Sequence, residues 1–208
     1  MTQVIPVAHP DAARLAAEVL RSGGLIVLPT DTVYGIGSLL DAAAIAAIFA
    51  AKQRPPDKAV PVLLSDASGV TQVARDFPKP ARRLAEVFWP GPLTLTLPRR
   101  DDLPSNLSTL PTVGVRVPDH AGTRAIIAAA GGALAVTSAN RSDELPACTV
   151  QDAMAALGDA VALYLDGGPC PGGVPSTVVV FEGEAWRIAR PGPISENVLR
   201  GVLGSDPA

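Results

Sequence analysis

Apolar residues in this chain switch repeatedly between a helical and a strand period, and that switching constrains the fold more than any other feature. Residues 10–22 (PDAARLAAEVLRS) set Ala12, Leu15, Ala16, Val19 and Leu20 on one helical face, stopped by Gly23 and Gly24. LIVLP (25–29) is a short apolar run between Gly and Pro and predicts a buried strand. Asp41 is placed to cap the Ala-rich helix AAAIAAIFAAK. VPVLL (60–64) predicts a strand, Ser65-Asp66 a helix start, and PARRLAEVF (80–88) a helix with Pro in its first turn. LTLTL (93–97) and TVGVRV (112–117) alternate with period two, as half-buried strands do. A helix over DHAGTRAIIAAAGG, a strand over ALAVT (133–137) and a helix over TVQDAMAALG (149–158) follow. Strands are expected at VALYL, STVVVF and AWRIAR, the last two joined by the turn Glu182-Gly183-Glu184, with Ser195 capping a terminal helix. Alternating elements without a repeat predict one α/β (or α+β) domain on a mixed sheet. No low-complexity linker of ~12 residues divides residues 1–208. The stretch 98–111, with Pro98, Pro104 and Pro111, is the expected mobile loop.

Composition narrows the function classes. Hydrophobic residues make up 48% and charged residues 18% of the 208, enough for a sizeable core and too apolar for a disordered chain. No apolar run reaches the ~18 residues of a membrane span, and no basic region precedes an apolar block at the N-terminus. A cytoplasmic protein without a membrane partner is the expectation. The net charge of −3 speaks against a generic nucleic-acid binder, although a local basic cleft is compatible with it. Cys148, Cys170, His9 and His120 form no CxxC, HxxxH or HExxH spacing, so no metal site of the protein's own is expected. Both cysteines read as packing residues.

There is no GxxxxGK[ST] loop, no GxGxxG after a strand and no GxSxG, which lowers hydrolases and Rossmann dehydrogenases. Polar clusters stand at strand ends instead. PTDTVYG (29–35) leaves a buried strand with hydroxyls and a carboxylate, where open α/β sheets bind ligands. Taken alone it is equally a turn held by Thr and Asp hydrogen bonds. KQRPPDK (52–58) holds two of the three lysines, Lys52, Lys58 and Lys79. Its cations either complement a helix C-terminus or cradle a polyphosphate, Arg as a fork and Lys as a point charge. TSAN (137–140) sets Ser138 and Asn140 at another strand end, or caps a helix. Ser176 and Thr177 enter a strand that Thr suits by propensity. Thr112, Gly114 and Arg116 share one strand face, where a buried cation is costly unless it meets an anion. Arg190 closes the last strand.

PTDTVYG, KxR, FWPGPLTLTL, VRVP, TSAN, PSTVV and RPG occur in this order and spacing. In that combination the chain resembles the YrdC-like family in its short TsaC-type form, from about Leu25 to Ile194. The resemblance implies a twisted mixed sheet with flanking helices and a concave, positively lined cleft. It implies an enzyme that joins L-threonine, bicarbonate and ATP into L-threonylcarbamoyladenylate and pyrophosphate, for the t6A base at tRNA position 37. By motif, Thr32, Arg116 and Ser176 face threonine, with Arg116 taking its carboxylate. Lys52, Arg54, Lys58, Thr112, Ser138, Asn140 and Arg190 face ATP, with Lys52 and Arg54 as catalytic cations. The implied cofactor is Mg2+ carried with ATP. The implied partners are the tRNA threonylcarbamoyl transferase machinery downstream and a weak contact with tRNA itself.

Three departures accompany the resemblance. Lys58 stands where many relatives carry Asn, and Leu63 where many carry His beside the threonine. RSDELPACT is one residue longer than the common pattern, which brings Ala147 to the place of a nucleotide-contacting serine. The chemistry divides into carbamate formation on the threonine amine and attack of that carbamate on the α-phosphate. No side-chain nucleophile or general base is indicated. Asp31 reads either as a metal or amine partner or as a turn residue. Two other readings stand beside the synthase: an RNA-binding module, opposed by the acidic balance and 4% aromatic content, and a nucleotide-binding paralogue without synthase activity.

Overall fold

The structure, a computed structural model, describes residues 2–56, 58–182 and 185–204. Its strands are β1 (Gln3–Pro6), β2 (Ile26–Leu28), β3 (Gly35–Ser38), β4 (Val62–Leu64), β5 (Leu93–Pro98), β6 (Thr112–Arg116), β7 (Ala133–Ser138), β8 (Leu163–Asp166), β9 (Thr177–Glu182) and β10 (Ala185–Arg190). All of them join one mixed sheet in the order β1-β8-β2-β3-β7-β4-β6-β5-β9-β10. Strand pairs β1–β8, β2–β8, β4–β6 and β5–β9 are parallel, and the remaining pairs are antiparallel. The helices are α1 (Ala12–Arg21), α2 (Ala42–Lys52), α3 (Lys79–Phe88), α4 (Ala121–Ala129), α5 (Val150–Leu157) and α6 (Glu196–Leu203).

Strand alternation decides which part of the sheet is covered. Leu93, Leu95 and Leu97 of β5 and Val113 and Val115 of β6 point into one core, shared with α2, α3, α5 and α6. On the opposite face α1 and α4 close a second core over Ile26, Leu28, Leu63, Leu134, Val136, Leu163 and Leu165. Those helices pack on β2, β8, β4 and β7. Beyond β4 the same face turns polar, with Thr94 and Thr96 on β5 and Thr112, Gly114 and Arg116 on β6. Polar alternation leaves nothing there for a helix to bury. The open part of this face is where the site lies.

Most expected elements are present, and the differences have physical reasons. β1 and β3 were not expected. β3 reads Gly-Ile-Gly-Ser, with little strand propensity. It is fully buried because its glycines admit Val136: a Cβ at Gly35 would lie 2.6 Å from Val136 Cγ1. Ser65-Asp66 starts only a 3-10 turn over Ala67–Gln72. Ser195 precedes α6, but its side chain makes no capping bond. Asp41 does cap α2, accepting from the N–H groups of Ala43 and Ala44. The stretch 98–111 is tied down rather than loose. Leu107 is buried and its carbonyl takes the Val60 N–H at 2.8 Å, while Arg99 donates to the carbonyls of Pro104 and Ser108. Of the expected turn after Glu182, Gly183 and Glu184 lie outside the described residues.

Candidate functional site

The turn after β2 is built on a single hydroxyl. Thr30 Oγ1 accepts the N–H groups of Thr32 (3.1 Å) and Val33 (3.2 Å) and donates to the Val33 carbonyl (2.7 Å). With its proton on the Val33 carbonyl, Thr30 accepts in its 2.9 Å bond with the Thr32 hydroxyl, so Thr32 donates, and the two longer N–H bonds share the other Thr30 lone pair. Thr32 also accepts from Arg116 Nη1 (2.9 Å), which leaves it one lone pair for a donor from outside.

Arg116 ends β6 and is buried. Its Nε donates to Gly91 O (2.9 Å) and its Nη2 to Asp31 Oδ1 (2.5 Å). The FWPGP turn, in which the Trp89–Pro90 peptide is cis, delivers that Gly91 carbonyl. Burial pushes Arg116 below the ordinary guanidinium range, and the neighbouring Asp31 charge opposes the shift. The pair is 6% and 14% exposed at its two side chains. The anion that a cation on this face requires is therefore already present as Asp31, where a substrate carboxylate alone was expected. Asp31 Oδ1 also accepts the Asp119 N–H (3.0 Å), and Asp31 Oδ2 is buried without a partner.

The facing wall comes from β5 and the segment before β9. Thr94 Oγ1 and Ser176 Oγ share a hydrogen bond of 2.7 Å. Arg190 donates to Ser176 O through Nε (3.1 Å) and Nη2 (2.8 Å), and to Ser176 Oγ at 3.0 Å. Burial pushes its pKa down, and among the described residues no carboxylate pairs with it. These walls enclose about 100 Å³, completed by apolar Pro61, Leu63 and Val136. Leu63 sits beside Arg116 across the β4–β6 ladder. Thr32, Arg116, Ser176, Ser138 and Arg190 are thus brought to one cavity.

The other expected ATP-facing residues are arranged differently. Ile45, Ile48, Phe49 and Lys52 form one buried stripe of α2 at helical spacing. Lys52 lies in that stripe, and its ammonium donates to the carbonyls of Ser138 and Asn140. Its own carbonyl takes the Ser142 N–H (2.9 Å). Desolvation pushes its pKa down to about 8, helped by the charges of Arg54 and Lys58 and opposed by Glu144. Lys52, expected as a phosphate-facing cation, has its ammonium bound to the carbonyls of the TSAN turn. Gln53, with φ of 50°, ends α2 in the left-handed conformation and turns the chain toward Arg54. Arg54 Nη2 donates to Ala59 O (3.0 Å). Lys58 pairs with Asp143 (2.7 Å) and donates to Ser142 Oγ (3.2 Å), linking this segment to the turn after Asn140. Asn140 is buried and donates to the carbonyls of Arg141 and Glu144, with its Oδ1 unpartnered. It lines a neighbouring groove of about 730 Å³ together with Ala147. Thr112 starts β6 on the Arg116 face but lines neither space.

The Sua5/YciO/YrdC model, described as "Telomere recombination", matches residues 18–192. The chain belongs to this family. A relative from Mycobacterium tuberculosis, provisionally named a threonylcarbamoyl-AMP synthase, is 37% identical over 100% of this chain and 98% of its own. The threonylcarbamoyl-AMP synthase of Bacillus subtilis is 34% identical over 98% of this chain and 60% of that longer protein. Among solved structures, Pyrococcus abyssi Sua5 complexed with L-threonine matches 98% of this chain and 61% of its own, at 33% identity and a TM-score of 0.94. Escherichia coli YciO shares the fold, with a TM-score of 0.85 at 24% identity over 96% of this chain and all of its own.

Within the Sua5/YciO/YrdC motifs, several site residues escaped the sequence reading. Asp31, read as a metal or amine partner or as a turn residue, sits in the turn and pairs with Arg116, a contact the sequence did not signal. Thr94 gave a signal, since it falls on the Arg116-bearing face by strand alternation. Tyr34 gave none. It is fully buried, donates to Gly168 O (2.7 Å) and accepts the Gly167 N–H (3.0 Å), and burial pushes its pKa up to about 12. It anchors the loop that leads to Ser176. Among the described residues no group of three His, Cys, Asp or Glu is placed to hold a metal, and no helix is long and apolar enough to cross a membrane.

Proposed function

We infer that the protein is an L-threonylcarbamoyladenylate synthase, a nucleotidyltransferase that forms its product and pyrophosphate from L-threonine, bicarbonate and ATP. The observation that carries this reading is the cavity between Thr32, Arg116 and Ser176, joined through the TSAN turn to the cations of KQRPPDK. Two guanidinium groups meet a carboxylate there, hydroxyls meet an amine, and Leu63, Pro61 and Val136 meet a methyl group.

Threonine's amine forms a C–N bond to the carbon of bicarbonate and water leaves, giving the N-carboxylate. A carbamate oxygen then bonds to the α-phosphorus of ATP as the bond to the β-phosphate oxygen breaks, releasing pyrophosphate. Every reacting group is anionic, so the protein's task is alignment and charge neutralisation. Thr32, with its proton turned toward Thr30, offers its lone pair to the amine N–H. Arg116 keeps one N–H on each terminal nitrogen for the carboxylate. Arg54 and Lys58 face the phosphates from the end of α2, and Lys52 sets the Ser138 and Asn140 carbonyls. Mg2+ carried with ATP would add charge neutralisation on the phosphates. The product would pass to the tRNA threonylcarbamoyl transferase machinery in the cytoplasm, with at most a weak contact to tRNA, and one domain with its core at 25–194 would carry the reaction.

Pyrophosphate release from ATP tests the reading. It should require threonine and bicarbonate together. Equal release from ATP alone would mean an ATPase, and tRNA binding without any release would mean an RNA-binding module.

A further inference from the structure

Asp31 occupies the turn between Thr30 and Thr32, yet the turn's own hydrogen bonds are made by the Thr30 hydroxyl. Its carboxylate is spent elsewhere. Oδ1 takes both Arg116 Nη2 and the Asp119 N–H, while Oδ2 is buried with no donor. A buried carboxylate with an unsatisfied oxygen is costly to keep, and such exceptions gather at functional sites. The backbone of the turn is itself tightly packed, because a Cβ on Gly172 would lie 2.8 Å from the main-chain carbonyl oxygen of Asp31.

The effect of that carboxylate is felt at Arg116. Gly91 O holds Nε, Thr32 holds Nη1 and Asp31 holds Nη2, so each guanidinium nitrogen is fixed by one bond. A planar group fixed at three nitrogens has a single orientation, and its two remaining N–H groups are set as a fork. Asp31 also balances the Arg116 charge before any ligand arrives. An incoming carboxylate is then selected by the geometry of the fork more than by an unbalanced positive charge.

We propose that Asp31 is the positioning residue that orients Arg116 for the substrate carboxylate and so sets the preference for a free amino acid over its alcohol. The proposal rests on the synthase reading above. Calorimetric binding of L-threonine and threoninol is compared in the wild-type protein, Asp31→Asn, Arg116→Ala and the double variant. Asp31→Asn should weaken threonine at least about tenfold and threoninol less than about threefold, and the double variant should be no weaker than Arg116→Ala, as for directly coupled residues. The KM for ATP should stay within about twofold in Asp31→Asn if it acts on uniform binding of threonine alone. Parallel loss of both ligands, unchanged threonine binding, or losses that multiply in the double variant would each overturn the assignment. If Asp31→Asn has no cooperative melting transition, Asp31→Glu, which keeps the charge and displaces it by one methylene, is read by the same criteria. A wild-type protein that binds threonine and releases pyrophosphate while the variants show parallel losses overturns only the role of Asp31. One that does neither overturns the synthase reading, and this role with it.

Discussion

Lys52 shows how much a single residue's surroundings decide. In the sequence it ends an Ala-rich helix and opens a run of cations. In the structure it is 1% exposed, with its ammonium on two carbonyls of the TSAN turn. The pH dependence follows from its displaced proton affinity. The unfolded chain keeps the lysine proton up to about pH 10.4. The folded protein releases it near 8, because desolvation disfavours the charge. Between these values the unfolded state binds more protons, so the Lys52 contribution to stability rises with pH across that window and is flat, at its least favourable, below it. Urea unfolding of the wild type and Lys52→Met at pH 7, 8, 9 and 10 checks this. The stability difference between them should move in favour of the wild type from 8 upward, and a constant difference would mean that the ammonium is not desolvated.

At the scale of elements, glycines fix where segments meet. Gly192, in the RPG segment after β10, faces the backbone of the segment that carries Ser176. A Cβ there would lie 2.4 Å from Thr177 N and 2.6 Å from Pro175 O. Backbone cannot swing aside as a side chain can, so Gly192→Ala must push Arg190 and Ser176 apart. Gly201 lies inside α6 with nothing within 4 Å of its missing Cβ. Gly201→Ala should therefore stabilise by about 0.5–1 kcal/mol through helix propensity. Gly192→Ala should cost about 1–3 kcal/mol, the usual penalty of overpacking, and should reduce pyrophosphate release as well. Thermal unfolding together with turnover separates the two, and a Gly192→Ala protein with wild-type melting and turnover would show that the two segments are not rigidly apposed.

On the scale of the whole molecule, the cavity draws side chains from β4, β5, β6, β7 and β10 and from the segments after β2 and before β9, so a ligand there clamps most of the sheet's width. A ligand at 100 times its Kd adds about 2.7 kcal/mol to stability. For a chain of this size that corresponds to a rise in Tm of about 5–10 °C. L-Threonine with ATP should produce such a shift, and threoninol with ATP a smaller one. Equal shifts for the two would show that the carboxylate is not held.

What the sequence determined by itself is whatever depends on neighbours along the chain. The period-two alternation of LTLTL and TVGVRV assigned Leu93, Leu95, Leu97, Val113 and Val115 to a core and left Thr94, Thr112, Gly114 and Arg116 on the other face. The Asp41 cap, the Gly23-Gly24 stop and the order of the motifs were equally legible. Only the tertiary structure decided which charges are spent and on what. Arg116 meets Asp31 across 85 residues, and Lys52 reaches the Ser138 carbonyl across 86. β3 enters the middle of the sheet because Val136 fills the space beside its glycines. No local period encodes such meetings. A cation's partner is fixed by which strand ends the sheet brings together, and burial then makes that partner indispensable.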